Sequence, residues 1–421
     1  MDTDQQHVTL GTLATGEELR LWQQDRRRHL YLIGATGTGK TTLLRHLMLT
    51  DLYSGAGFAL IDPHGDIASD IADSIPMNRT RATVYFDPAD LSHPVGFNPV
   101  EQVHPDQRAL RAAHIVATFE HIWRASWGPR MSYILENAVR LLIDAPGATL
   151  LGLPRLLTDP AYRAGLLKSC ADPVIRRFWE VEYESYDTRF RTEAISPILN
   201  KIGALLGSPV IRNIVGQSRS TIDIAGIMDT GGILIANLSK GRIGEGPAHL
   251  LGALLTTAIA QAAEARASIP EDERRDFTLI ADEFQAYATE SFASILSEAR
   301  KYRLGLVLAH QILGHLPQSL RQAVLGNVGT ILSFRIGAED APLIAAELGL
   351  RNPAALTETR NFCAWARTLH RGAPTSPRFL SMPEPAPVPN GRLAAVKAHT
   401  AARHARERAF VEDRIARFLR R

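Results

Sequence analysis

Short apolar runs recur along the chain, and most of them end in a polar or glycine-rich turn. HVTLGTLATGEELRLW (7–22) alternates apolar and polar positions around Gly11 and Gly16, which predicts a short hairpin. HLYLIG (29–34) is a compact apolar strand. It runs through a glycine-rich turn into TTLLRHLMLTDLY, which has the composition of a helix. GFALIDPHGD (57–66) and ATVYFDPAD (82–90) are a second and a third strand. From about 105 to 225 the pattern turns helical, with RALRAAHIVATFEHIW, MSYILENAVRLLID and VIRRFWEVEYESY and no strand run of similar strength. Strands then return in GGILIANLS (231–239), FTLIADEF (277–284), LGLVLAH (304–310) and VGTILSFRIG (328–337), with helices between them. Apolar strands alternating with helices predict an α/β fold with a mostly parallel sheet covered on both faces.

These patterns divide the chain into an N-terminal β-hairpin segment (1–28), an α/β domain in two pieces (29–104 and 226–372) and an all-helical insertion (105–225). A proline-rich linker (373–391) and a basic C-terminal helix (392–421) follow. In that last helix Val411, Ile415, Phe418 and Leu419 share one face, so it either docks by that face or holds phosphates with its arginines.

With 421 residues, 45% of them hydrophobic and 22% charged, the chain has the composition of a folded protein and the length of more than one core. Its two cysteines, Cys170 and Cys363, are far apart and lack metal-type spacing, so buried free thiols in a reducing compartment are expected. The opening MDTDQQHVTL is polar. The least charged run, residues 247–263, is interrupted by His249, Gln261 and threonines, which fits a core helix better than a membrane span. A soluble, cytoplasmic protein is therefore expected. The net charge is +3, yet residues 391–421 carry nine Lys/Arg against three acids, so the rest of the chain is slightly acidic. A uniformly basic nucleic-acid surface is excluded, and any grip on DNA must come from local loops.

The candidate chemistry begins at GATGTGKT. Gly34, Gly39, Lys40 and Thr41 fit the phosphate-loop spacing, between a strand and a helix as the motif requires. Backbone amides of Gly34, Ala35, Thr36, Gly37, Thr38, Gly39, Lys40, Thr41 and Thr42 are expected to cradle the phosphates of ATP. Lys40 would bridge the β- and γ-phosphates, and Thr41 would ligate Mg²⁺. In LIADEF an apolar strand ends in Asp282, suited to hold the metal's water shell, and Glu283, suited to polarise the attacking water. The paired acids suit an ATPase that turns over repeatedly, and no guanine-reading Asn-Lys-x-Asp follows a strand. Gln311, just past LVLAH, could touch both the γ-phosphate and the segment behind it and couple hydrolysis to motion. Arg300, in SEARKYRLG, could serve a neighbouring subunit's ATP as an arginine finger, with Arg303 and Arg335 as rivals.

These residues, in this order, resemble the HerA/FtsK superfamily of RecA-like motor ATPases, and most of all its conjugative coupling-protein branch (TraG/TraD/TrwB-like). The marks of the resemblance are DRRRHLYLIGATGTGKTTLL, IDPHGD, GFNP (96–99), WGPR (127–130), NLSKGRIGE (237–245), IADEFQ, ARKYRLGLVLAHQ and SFRIGAEDA, and it covers about residues 7–370. It implies a RecA-like P-loop NTPase domain in a hexameric ring that pumps DNA through its channel, with hydrolysis sites between subunits. It also implies that Arg300 is the finger acting in trans and that Asp62, His64 and Asp66 form a turn beside the site. Coupling proteins usually carry N-terminal membrane helices, and this chain departs from that pattern. Three functions stay open. One is a conjugative, type IV secretion DNA-transfer ATPase working with a relaxase or the secretion machinery. The second is a HerA-type translocase working with a nuclease or effector in DNA processing or phage defence. The third is an ATPase that recruits protein substrates to a secretion system.

Overall fold

The computed structural model describes residues 6–289, 291–383 and 391–420. The chain forms two compact units. The first comprises Met1–Phe86, Ile224–Leu238 and Ile259–His399, and the second Asp87–Asp223, Ser239–Ala258 and Thr400–Arg421.

The first unit is built on one eleven-stranded sheet. In chain order its strands are β1 (His7–Leu13), β2 (Glu18–Trp22), β3 (Leu30–Ile33), β4 (Gly57–Asp62), β5 (Thr83–Phe86), β6 (Ile233–Asn237), β7 (Phe277–Ala281), β8 (Leu304–His310), β9 (Thr330–Ser333) and β10 (Cys363–Arg367). A small separate ribbon, β11 (Leu369–His370) with β12 (Ala373–Pro374), precedes the last sheet strand, β13 (Arg378–Ser381). The spatial order is β2-β1-β13-β10-β9-β3-β8-β7-β4-β6-β5. The seven strands from β9 to β5 are parallel, and the four on the other side join antiparallel. All residues of the parallel strands are buried, which is why they read as unbroken apolar runs rather than alternations.

Two pieces set apart by sequence pattern belong to this sheet. The N-terminal hairpin does form, and β1 also pairs with β13, Thr12 opposite Ser381 and Leu13 opposite Leu380. β13 itself arises inside the stretch expected to be a proline-rich linker, because RFLS can place Leu380 in the core, where it is 0% exposed. Residues 384–390 of that linker lie outside the described residues.

The second unit is helical. Its longer helices are Pro105–Ile122, Pro129–Asp144, Thr188–Gly207 and Arg408–Arg420. Proline opens the helices at 105, 129, 160, 173 and 209, where its missing N–H costs nothing. Asp159, Asp172 and Asp187 cap the helices that follow them. This unit begins at Asp87, earlier than the insertion expected at 105–225, and the reason lies in hydrogen bonding. Among the described residues the GFNP stretch has no sheet partner. Gly96 N–H donates to Thr221 Oγ1 (2.9 Å), Phe97 N–H to the Ile214 carbonyl (3.2 Å), and Asn98 Nδ2 to the carbonyls of Ala148 (2.9 Å) and Ser218 (3.2 Å).

The basic tail is two helices rather than one, Leu393–His404 and Arg408–Arg420. They part where Ala405 bridges to Val95 and where the N–H groups of Arg406 and Arg408 reach the carbonyls of Pro94 and Ser92. The last helix buries Val411 and Ile415 against Leu151, with Phe418 packed alongside. Arg155 Nη1 donates to the Phe418 carbonyl (3.0 Å). Leu419, expected on the same face, is 55% exposed. Among the described residues no single helix is long and apolar enough to cross a membrane, while one bent pair, Thr188–Gly207 with Pro209–Val215, passes on length and composition. Both cysteines are free and buried.

A buried ion pair braces the first unit at the end of the sheet away from the phosphate loop. Arg26 donates through Nη1 and Nη2 to the two carboxylate oxygens of Asp51, each at 2.6 Å, and both side chains are 4% exposed. It ties the chain entering β3 to the far end of the helix Lys40–Ser54. Asp51→Ala would leave a buried guanidinium uncompensated. The expected cost is about 3–5 kcal/mol of unfolding free energy. Glu18→Ala, which breaks the exposed Arg20–Glu18 pair, should cost less than about 1 kcal/mol. Urea unfolding of the two variants checks the contrast.

Candidate nucleotide site

The site lies along the C-terminal edge of the parallel strands. β3 and β8 run in register with Ile33 opposite His310, β7 and β8 with Ala281 opposite Leu308, and β4 and β7 with Ile61 opposite Ala281. The residues that follow these strands, Gly34, Gln311, Asp282 and the Asp62 turn, therefore emerge side by side although they are distant in sequence. This is the edge at which open parallel sheets bind ligands.

The phosphate loop leaves β3 at Gly34 and enters the helix at Lys40. Gly34 has no room for a side chain, since a Cβ there would lie 2.6 Å from the Cβ of Phe334. Gly39 holds φ at +120°, a conformation that favours glycine. The loop is fastened on both sides: Gly34 N–H donates to the His310 carbonyl (3.2 Å) and Ala35 N–H to the Arg335 carbonyl (2.8 Å). The Lys40 ammonium turns into the loop and donates to the carbonyls of Gly34 and Ala35, the latter at 3.2 Å. Burial lowers its pKa, opposed by the negative charges of Glu283 and Asp282.

Asp282 is 6% exposed and Glu283 9% exposed. Burial pushes the Asp282 carboxyl up to about 7, helped by Glu283 and Asp62 and opposed by Lys40 and the Glu283 amide. Glu283 adopts a left-handed backbone (φ +47°), an uncommon conformation for a glutamate. Both its carboxylate oxygens are held by amides. Gln311 Nε2 donates to Oε1, and Gln285 Nε2 donates to Oε2 at 2.5 Å. Gln311 Oε1 in turn accepts from Thr36 Oγ1 at 3.1 Å. One hydrogen-bonded chain thus runs from the phosphate loop through the end of β8 to the acid that ends β7.

Not every candidate joins this cluster. Asp62 is fully buried and holds its turn, accepting from the N–H groups of His64 and Ala68, each at 2.9 Å, while His64 and Asp66 are exposed. Arg300 lies in the 3-10 turn Ala299–Tyr302 before β8, so the whole strand separates it from Gln311. It is exposed and has no carboxylate partner among the described residues. Arg303 is committed elsewhere, mostly buried and 3.9 Å from Asp276, which Arg27 already holds at 2.7 and 2.8 Å. Arg335 is exposed, next to the loop.

Three supports escaped the sequence reading. Gln285 holds Glu283. Tyr287 OH donates to the Asp282 carbonyl and the Ile61 carbonyl, the latter at 3.2 Å, which fixes two strand ends. Beneath the loop, Tyr31 OH meets His310 Nδ1 at 2.9 Å, and burial pushes that imidazole down to about 3, so it is neutral. Gln285 stood in plain view inside IADEFQ; nothing about Tyr31 or His310 sets them apart from strand residues.

The donor set suits a magnesium nucleotide. Lys40 spends its donors on loop carbonyls, and the charges of Glu283 and Asp282 both act on its ammonium. Among the described residues no group of three or more His, Cys, Asp or Glu could hold a metal ion. Mg²⁺ binds through one or two protein groups together with substrate phosphates. Thr41 and Asp282 are the residues that would hold it.

A phosphate loop after the central strand, paired acids after β7 and an amide after β8 define a RecA-type NTPase fold. No protein-family model matches the chain. The bacterial conjugative coupling protein TrwB superposes with a TM-score of 0.63 at 16% identity, over 92% of this chain and 91% of that one. TrwB has been solved with a non-hydrolysable ATP analogue (TM-score 0.62, 17% identity, 92% of each chain) and with ADP and Mg²⁺. VirB4 of Thermoanaerobacter pseudethanolicus matches with a TM-score of 0.60 at 16% identity, over 90% of this chain and 97% of that one. At such identities the likeness is one of fold, and the fold is that of TrwB. The type 4 coupling protein DotL of Legionella pneumophila is 44% identical over 52 residues, which span 12% of this chain and 7% of that protein.

The raised pKa of Asp282 has a sign that can be checked. Its carboxyl holds a proton up to about pH 7 in the folded chain but releases it near 3.8 when unfolded. Between those values the folded state binds more protons, so this residue makes stability fall as pH rises. Asp282→Asn should remove that part of the slope. Denaturation midpoints of the nucleotide-free chain at pH 5 and pH 8 should show the variant gaining on the parent at pH 8.

Proposed function

We propose that the chain is an ATP-hydrolysing ring motor that moves DNA, of the conjugative coupling-protein kind. The observation that carries this reading is the connection Thr36–Gln311–Glu283, which ties nucleotide contact, strand end and hydrolytic acid into one unit. The TrwB-like fold over 92% of the chain supports the class of motor.

The residues divide the work. Lys40 exchanges its loop carbonyls for phosphate oxygens. Thr41 and Asp282 would hold Mg²⁺, which would supply neutralisation of the phosphate charge. Glu283 accepts hydrogen bonding from the attacking water once its amide partners yield. Gln311, bonded to both Glu283 and Thr36, moves when the γ-phosphate arrives or leaves, and β8 carries that shift. Arg300 is too far along β8 to serve its own site, so any role in hydrolysis is toward a neighbouring subunit's nucleotide. The homohexamer, the DNA and a relaxase or secretion partner belong to this proposal.

Hydrolysis should be stimulated by DNA. Lys40→Ala should abolish it, and Glu283→Gln should lower it about 10²–10⁴-fold while keeping nucleotide bound. Arg300→Ala should also lower hydrolysis, and mixing it with Lys40→Ala subunits should restore some activity through interfaces that join an intact loop to an intact finger. Hydrolysis that ignores DNA at every salt concentration would rule out the motor. A Glu283→Gln complex that retains a nuclease or a protein substrate in place of DNA would move the reading to a defence engine or a protein recruiter.

A further inference from the structure

We infer that Phe362 is the base-stacking residue of the nucleotide site, and that the subsite selects a flat base rather than adenine in particular. The inference rests on the nucleotide reading above.

Phe362 sits just before β10, far in sequence from the phosphate loop and in direct contact with it. Its N–H donates to the Thr38 carbonyl at 2.7 Å, and its carbonyl accepts from Met382 N–H at 2.8 Å. On the other side of the contact is Gly39. A Cβ built there would lie 3.1 Å from Phe362 Cα and 3.4 Å from its Cδ1, so the missing side chain of Gly39, held at φ +120°, leaves room for this close approach. Phe362 is therefore pinned to the last loop residue before Lys40.

Its conformation is uncommon. Phe362 has φ +58°, a left-handed backbone that bulky side chains seldom adopt, and such outliers collect at ligand sites. The residue is also 53% exposed. A phenyl group held in an uncommon backbone conformation and left half exposed is not placed there by the hydrophobic core. The other exposed aromatics do not compete for this place. Tyr53 lies in the last turn of the helix Lys40–Ser54, and Tyr133 and Phe410 belong to the helical unit.

The ligand's own chemistry completes the argument. The loop amides take the phosphates, and the ribose and base must emerge beside the loop. A base has two apolar faces, and stacking on an aromatic ring tolerates any base because each presents a π-face. A phenyl ring offers no hydrogen-bond donor or acceptor, so it does not distinguish adenine from guanine.

The test compares a ligand with a base to one without. Binding of ATP, GTP and inorganic tripolyphosphate to the full-length chain is measured by calorimetry, with Phe362→Ala and Phe362→Trp beside the parent. Phe362→Ala should weaken ATP and GTP about tenfold and leave tripolyphosphate unchanged. Phe362→Trp should retain nucleotide affinity and add a fluorescence signal that ATP quenches and tripolyphosphate does not. If Phe362→Ala weakens all three ligands equally, the residue only packs the loop and the inference fails. The same follows if ATP binding is unaffected by Phe362→Ala, or if the Trp signal does not respond to ATP. A parent chain that binds neither nucleotide nor tripolyphosphate would overturn the nucleotide reading itself, and the stacking role with it. If the alanine variant does not fold, the tryptophan variant decides.

Discussion

The register of four parallel strands is the constraint on which the site depends. β3, β8, β7 and β4 are neighbours, buried on both faces, and their ladders fix which residue ends opposite which. Because side chains alternate along a strand, a slip of one residue in β8 would turn Gln311 away from Glu283. Burial prevents that slip. All seven residues of β8 are buried, and any shift would expose apolar surface or strand backbone polar groups. The chemistry at the edge is thus specified by hydrophobic packing in the middle of the sheet. The Arg26–Asp51 pair adds a second restraint, holding the helix that carries Lys40 to the chain that feeds β3.

That scaffold makes an electrostatic arrangement possible that would not persist alone. Asp62, Asp282 and Glu283 lie close together under burial, with Lys40 the cation that acts on both acids of the pair. Each acid is handled differently. Asp62 is spent on two backbone N–H groups. Glu283 is held by two side-chain amides. Among the described residues the Asp282 carboxylate receives the Glu283 amide at 3.1 Å, and it is the one whose pKa rises to about 7. In the proposed function this carboxylate would hold a cation's water shell, because binding there would relieve the cost of its buried charge.

Much of this was legible in the sequence, for identifiable reasons. The parallel strands read as apolar runs because both faces are covered, and GATGTGKT and ADEF carry residue types that few structural roles require together. What escaped was tertiary. β13 hides among prolines because a four-residue strand has no period long enough to see. The helical unit's early start at Asp87 depends on where Asn98 finds its hydrogen bonds, which no local pattern encodes. Gln285 and Tyr287 look like the ordinary residues that follow a strand until their partners are known. The turn expected at Asp62, His64 and Asp66 is there, held by the Asp62 carboxylate accepting from the His64 and Ala68 N–H groups.

β8 has one further consequence for how a ring of such chains would work. Arg300 precedes the strand and Gln311 follows it, so the two stand at opposite edges of the sheet. Seven residues of strand span roughly 23 Å at about 3.3 Å each. The Arg300 end is coupled to β3 by His29, whose Nδ1 accepts from the Leu306 N–H at 3.1 Å and whose Nε2 meets the Leu296 carbonyl at 3.1 Å. Burial pushes that imidazole down to about 4, with the Arg300 charge adding to the effect, so it stays neutral. A finger reaching a neighbour's nucleotide would pull on one end of a stiff, buried strand whose other end holds the glutamine beside Glu283. Such a strand transmits displacement instead of absorbing it, because close-packed interiors shift as units. In the proposed ring, the strand that positions Gln311 at one site would also carry Arg300 toward the next.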